Sequence, residues 1–190
     1  MIKLGTDAER RRRKAVVLVF PLAFAAHDLE EVLAAPGWSE RAAERMGARH
    51  PGVARALGNA FPMSQREMTI AVAVVAAGAA GVTAASLRDL DGELQPLRAA
   101  LGAFSAHSLT HLAASVVFRG YTPGLATVPL VIVPYSLWAW ARLGRAGVVG
   151  SRADAIRAAR TGLAVALPLA VFGHLIAREI TGGVLARGRC

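Results

Sequence analysis

Apolar residues run through this chain in five long blocks, at about 15–35, 67–87, 97–118, 123–141 and 161–185, separated by charged, prolyl and glycyl stretches. Each block approaches the about 20 residues that a helix needs to cross the hydrocarbon of a bilayer. A soluble bundle of this length would instead show a polar face along every helix. The pattern therefore predicts an all-α fold, a polytopic membrane bundle of about five transmembrane helices forming one domain over residues 1–190. The second block, "EMTIAVAVVAAGAAGVTAASL", is mostly Ala, Val and Gly, a composition that lets helices approach closely in lipid. The fourth carries Pro129 and Pro134 and is expected to be kinked. Residues 36–66 are too polar to span and predict a loop with short interfacial helices, with Ser39 placed as an N-cap. The stretch "RGYTPGLA" at 119–126 joins the third and fourth helices. Either Thr122 caps a helix that Pro123 opens, or Pro123 and Gly124 are the central pair of a type II turn.

One block breaks the apolar rule. "FAAHDLEEVLAA", residues 24–35, puts His27, Asp28, Glu30 and Glu31 into a membrane-like helix. Ionisable groups in lipid are costly and belong on the bundle interior, where partners or water satisfy them. His27, Glu30 and Glu31 are spaced i, i+3, i+4 and share a helix face. His107 and His111 share a face of the third helix, as His174 and Arg178 do on the fifth. Asp28 points elsewhere and is read at most as a hydrogen-bond partner to a ligand histidine. Counting rise per residue from the basic end of each helix puts His27, His107, His111 and His174 at one depth, roughly 14–21 Å in. Imidazoles and carboxylates converging at one level of a helical bundle are the makings of a metal site. The donor types suit a divalent transition metal, zinc or iron first and manganese next. His27, Glu30, Glu31, His107, His111 and His174 are the candidate ligands. Glu30 and Glu31 are also candidate acid–base groups, with Tyr121 within reach at the mouth. Arg178 and Glu179 read as an ion pair at the outer interface. His50, in the polar loop, is read as an exposed side chain.

Charge changes the picture less than its size suggests. The net charge is +9, from 22 Lys and Arg against 13 Asp and Glu. The basic residues cluster at block ends, where membrane topology and anionic headgroups explain them without nucleic acid. The dense run Arg10–Arg13 with Lys14 predicts a cytoplasmic N-terminus for a multi-pass protein. Trp38, Tyr121, Trp138 and Trp140 lie near block ends and suit interfacial belts. The one cysteine, Cys190, excludes an internal disulfide and any multi-Cys metal site. The basic-then-apolar N-terminus resembles a signal peptide, but a cleaved peptide has no use for "HDLEE".

Three features occur in order: "HDLEE" as H-x-x-E-E, histidines in the third helix, and "YTPG" as Y-x-P-G. Together they resemble the HXXEE domain family of small bacterial integral membrane proteins, over roughly residues 15–175. The resemblance implies that His27, Glu30, Glu31, one of His107 or His111, and Tyr121, Pro123 and Gly124 matter, and it implies the bacterial inner (plasma) membrane. It carries no reaction. The reading of the residues themselves is a metal-dependent membrane enzyme acting on a lipid-like or other apolar small molecule, with the bilayer as its partner. A proton or metal-ion transporter or channel, or a metal-binding protein without catalysis, are the alternatives.

Overall fold

In the computed structural model, residues 6–49, 51–52 and 62–187 are described. His50 and Cys190 lie outside them. The described residues form five α-helices and no strand: α1 (Asp7–Arg49), α2 (Gln65–Arg88), α3 (Gln95–Phe118), α4 (Val133–Arg145) and α5 (Arg152–Arg187). A π-helical turn, Val128–Ile132, leads into α4. By length and composition, α2, α3 and α5 are apolar enough to cross a membrane.

The first helix is longer than expected. It runs 43 residues, through Pro21 and Pro36, and absorbs the start of the segment read as a polar loop. A proline inside a helix removes the N–H that the carbonyl four residues back should receive. At Pro36 that carbonyl belongs to Val32, and the Gln65 side chain supplies the missing donor at 2.9 Å. Ser39 consequently lies inside α1 and caps nothing. Its hydroxyl donates to the Pro36 carbonyl at 2.8 Å and accepts from the Met63 amide at 2.9 Å, fastening the far end of the connection to α1. α2 then starts on a capping box, in which Ser64 and Glu67 each accept the other's backbone N–H.

In the fourth block, the two prolines leave their mark as the π turn, closed by the Val133 amide on the Val128 carbonyl. Insertions of this kind absorb a missing donor without ending the helix. Trp138 and Trp140 pack against the core. Trp140 donates to Ser105 at 3.2 Å, and Trp138 lies beside Tyr135 with the Arg142 guanidinium 5.2 Å from its ring.

The core lies between α1, α3 and α4. Val16, Val17 and Phe20 of α1 meet Leu97, Leu101 and Phe104 of α3, with Ile132, Tyr135 and Leu143 from the fourth block. α3 and α5 cross at glycines. A Cβ on Gly102 would lie 2.5 Å from the Ala159 backbone nitrogen, and one on Gly162 would collide with the Ala99 carbonyl. The outward surface carries large apolar side chains on four of the five helices: Leu22, Leu29 and Leu33 on α1, Val116 and Val117 on α3, Leu137 on α4, and Val165, Phe172 and Leu175 on α5 are all exposed.

At the end of the bundle where α1 begins, one arginine holds two connections through three carbonyls. Arg13 donates to the carbonyls of Leu90 and Gly92, at 3.2 and 2.9 Å, and to that of Ala146 at 2.8 Å. These carbonyls close the α2–α3 turn and the end of α4, so one guanidinium ties three elements together. Charged hydrogen bonds of this kind contribute about 1.5–3 kcal/mol each when buried, and less here at half burial. Arg13→Met is expected to lower stability by about 2 kcal/mol in a thermal melt of the detergent-solubilised protein. Arg11→Met, at an exposed position of the same basic run, should change it little. Equal effects would make Arg13 a topological charge only.

Candidate metal centre

The structure brings His27, Glu31, His107 and His111 together, with one ligand atom of each lying within 4.8 Å of the others. α1 supplies His27 and Glu31 from consecutive turns, and α3 supplies His107 and His111 in the same way. The Glu31 Oε1 faces all three imidazoles: His111 Nε2 at 3.5 Å, His107 Nε2 at 3.9 Å and His27 Nε2 at 4.0 Å. His27 and His111 are buried, whereas the His107 side chain keeps 41% of its surface exposed. The group is therefore open on one side. Behind it, Phe104 stands edge-on to His27, with Phe20, Phe24 and Tyr135 stacked beyond in mutual ring contact.

Two of the histidines have their Nδ1 edge committed. The Thr127 hydroxyl has one proton, and Glu30 Oε2 takes it at 2.6 Å, with the Gly124 carbonyl next at 3.0 Å. His27 Nδ1, 2.7 Å from that hydroxyl, must therefore donate to it. Thr110 gives its proton to the His107 carbonyl at 2.7 Å, so the hydroxyl accepts from His107 Nδ1 at 3.2 Å. The His111 ring lies against the turn at Gly124, where an added Cβ would meet its Nδ1 edge. Neutral imidazoles held as His27 and His107 are present their Nε2 lone pairs to the centre of the group. His27 Nε2 is buried there without a hydrogen-bond partner. His107 and His111 bring their Nε2 atoms to 2.8 Å. Fixing Nδ1 with an oxygen partner is also how proteins orient histidine ligands. The residues present thus fit a divalent transition metal with three nitrogen donors and one oxygen donor.

Glu30 belongs to a different structure. Its carboxylate accepts from the Tyr121 hydroxyl at 2.7 Å, the Ala126 amide at 3.1 Å, the Thr127 amide at 2.8 Å and the Thr127 hydroxyl at 2.6 Å. It clamps the turn between α3 and the π-helical segment and reaches His27 only through Thr127. That turn is type II: the Leu125 amide bonds the Thr122 carbonyl at 3.1 Å and Gly124 has φ of 83°. Of the two readings left open by the sequence, the cap at Thr122 is excluded; its hydroxyl instead points to the His111 carbonyl at 3.4 Å.

His174 is not brought into the group. It is half-buried on α5, with Arg178, Glu31 and Glu67 as its charged neighbours. Asp28 is buried outside the group. Arg178 and Glu179 form no ion pair with each other, because consecutive helical residues do not face one another. Thr127 is the residue that sequence reading missed. Its only signal is its place three residues after the "YTPG" glycine.

Gly124 is needed twice over. Its positive φ is one that side chains rarely adopt, and an added Cβ would meet His111 and lie 2.8 Å from His27 Cε1. Gly124→Ala is expected to destabilise the protein by about 2 kcal/mol or more. Thermal unfolding will read this, and Gly120→Ala, where a Cβ meets nothing, is the control.

No curated protein and no solved structure matches this chain significantly. One family model does, that of proteins of unknown function with an HXXEE motif, and it covers residues 18–139. That interval holds the group of four, the Glu30 clamp and the turn that joins them, and the chain belongs to this HXXEE family.

Proposed function

We propose that the chain is an integral membrane protein in which His27, Glu31, His107 and His111 hold one divalent transition metal, zinc or iron, and that it is a metal-dependent enzyme acting on a lipid-like small molecule. The single observation that carries this is the convergence of three Nε2 atoms and a carboxylate, one Nε2 being buried without a partner.

Insertion of all five helices is supported by the apolar surface. α1 and the fourth block are too interrupted to qualify by composition, yet they direct Leu22, Leu29, Leu33, Leu130 and Leu137 outward. Their polar residues turn to the interior, as intramembrane ionisable groups do. The basic start of α1 supports a cytoplasmic N-terminus in the bacterial inner membrane.

A bound metal would supply Lewis acidity toward a substrate oxygen or a water. The protein's own residues supply the rest. Thr127 and Thr110 hold the His27 and His107 imidazoles in one tautomer. Phe104 and the aromatic stack behind it exclude water from the inner side. Glu31, whose carboxylate faces all three imidazoles, is the group available to take a proton. Glu30, with four donors, is a positioning residue. Tyr121 serves the same clamp by donating to Glu30. The aromatic stack also supports a one-sided pocket over a transport path, which needs polar groups through the full depth.

Purified protein loaded with zinc or iron(II) and desalted is expected to carry about one ion per chain by elemental analysis. His27→Ala, Glu31→Ala and His107→Ala should lose it, and His174→Ala should keep it. Thr127→Val, which removes only the hydroxyl that orients His27, should weaken binding about 10–100-fold. Wild-type protein that retains no metal overturns the reading. Loading should also fall as pH drops from 7 to 5, since protons compete for the Nε2 atoms.

A further inference from the structure

Beyond the buried group lies a second feature, at the end of α3. A cleft of about 330 Å³ opens between α1 and the residues that follow α3. Arg41, Arg45 and Arg119 line it together with Trp38, Phe118 and Tyr121. Arg41 and Arg45 are i, i+4 on α1 and face the same way. Arg119 is the C-cap of α3 in the left-handed region, φ 51°, where glycine is the usual residue. Three exposed guanidiniums thus converge on one cavity, and none forms an ion pair among the described residues. Glu40 and Glu44 lie on the same helix and form no ion pair with them. Like charges gathered this closely repel unless an anion joins them. Guanidinium matches the geometry of phosphate and carboxylate oxygens, forming paired hydrogen bonds.

The walls add an apolar component. Trp38 packs edge-on against Phe118, ring centroids 4.8 Å apart, and its indole N–H donates to the Tyr121 carbonyl at 3.0 Å. Such a cleft offers charge at its rim and aromatic surface within. It also touches the buried group by hydrogen bonds: the Tyr121 hydroxyl holds Glu30, Glu30 holds Thr127, and Thr127 holds His27. Phe118 is seven residues beyond His111 on α3, about 10 Å along the axis.

We propose that this cleft binds an oxyanion, the phosphate or carboxylate head of an amphiphile or the free anion. The site stands whether or not the buried group carries a metal. If it does, the cleft, which rests on that reading only in this respect, defines the ligand class, an amphiphile with an anionic head.

Full-length protein in a nonionic detergent, titrated calorimetrically with dihexanoyl phosphatidic acid, is expected to bind one molecule per chain. Arg41→Gln/Arg119→Gln should weaken binding at least tenfold, and raising salt should weaken it further. Arg66→Gln, an exposed arginine outside the cleft, should leave it unchanged. Inorganic phosphate alone, binding with the same dependence on both arginines, assigns the site to the free anion. Binding of the lipid but not of phosphate assigns it to a headgroup. Glu31→Ala should keep lipid binding while losing metal, which separates a failure here from a failure of the metal reading. Absence of binding by either probe, equal binding by the double variant, or equal binding of uncharged dihexanoylglycerol overturns the proposal. Circular dichroism melts of each variant confirm that the fold is intact.

Discussion

Glu30 is the carboxylate on which the site depends. A charged carboxyl group at the edge of an apolar bundle must have its oxygens saturated, and Glu30 meets that demand with four donors. Two of them are the backbone amides of Ala126 and Thr127, exposed because a helical segment is starting there. The carboxylate thus fixes where that segment begins. In doing so it fixes Thr127, whose hydroxyl, having given its proton away, can only accept from His27. The tautomer of a buried histidine on α1 follows from a turn about a hundred residues later in the chain.

The same turn governs the other side of the group. Gly124 comes so close to His111 and His27 that no side chain fits. A tight type II turn is what lets the backbone approach two imidazoles at once. "HDLEE" and "YTPG" are therefore one device. The helix brings the carboxylate and the histidine, and the turn brings donors, an acceptor and the space.

Much of this was legible in the sequence, for reasons specific to the elements concerned. Helical periodicity and the cost of charge in apolar surroundings placed His27, His107 and His111 on interior faces at one level, and the structure brings them together. What periodicity could not decide is which of two adjacent carboxylates turns inward. Residues at i+3 and i+4 flank the same face, and only the docking of the turn sends Glu30 sideways and leaves Glu31 with the histidines. His174 shows the complementary failure. Depth follows from counting residues, but the rotation of α5 follows from its packing on α3 at Gly102 and Gly162, and that rotation leaves His174 outside the group of four, with Arg178, Glu31 and Glu67 as its charged neighbours.

The extent of α1 escaped for a similar reason. Pro36, lacking an N–H, orphans a carbonyl inside the helix. Gln65, in a separate helix, supplies the lost donor, and the helix continues. Arg13 reads as one of a run of topological charges, and only the assembled ends of α2 and α4 reveal the carbonyls it holds. In each case a local rule is satisfied by a donor from a distant element. Backbone groups must be paired, but nothing in the local sequence says by whom. Long-range pairing of this kind gives the bundle its specificity. Apolar helices can slide and rotate against each other at little cost, whereas Arg13 at one end and Glu30 near the other each find all their partners in a single register.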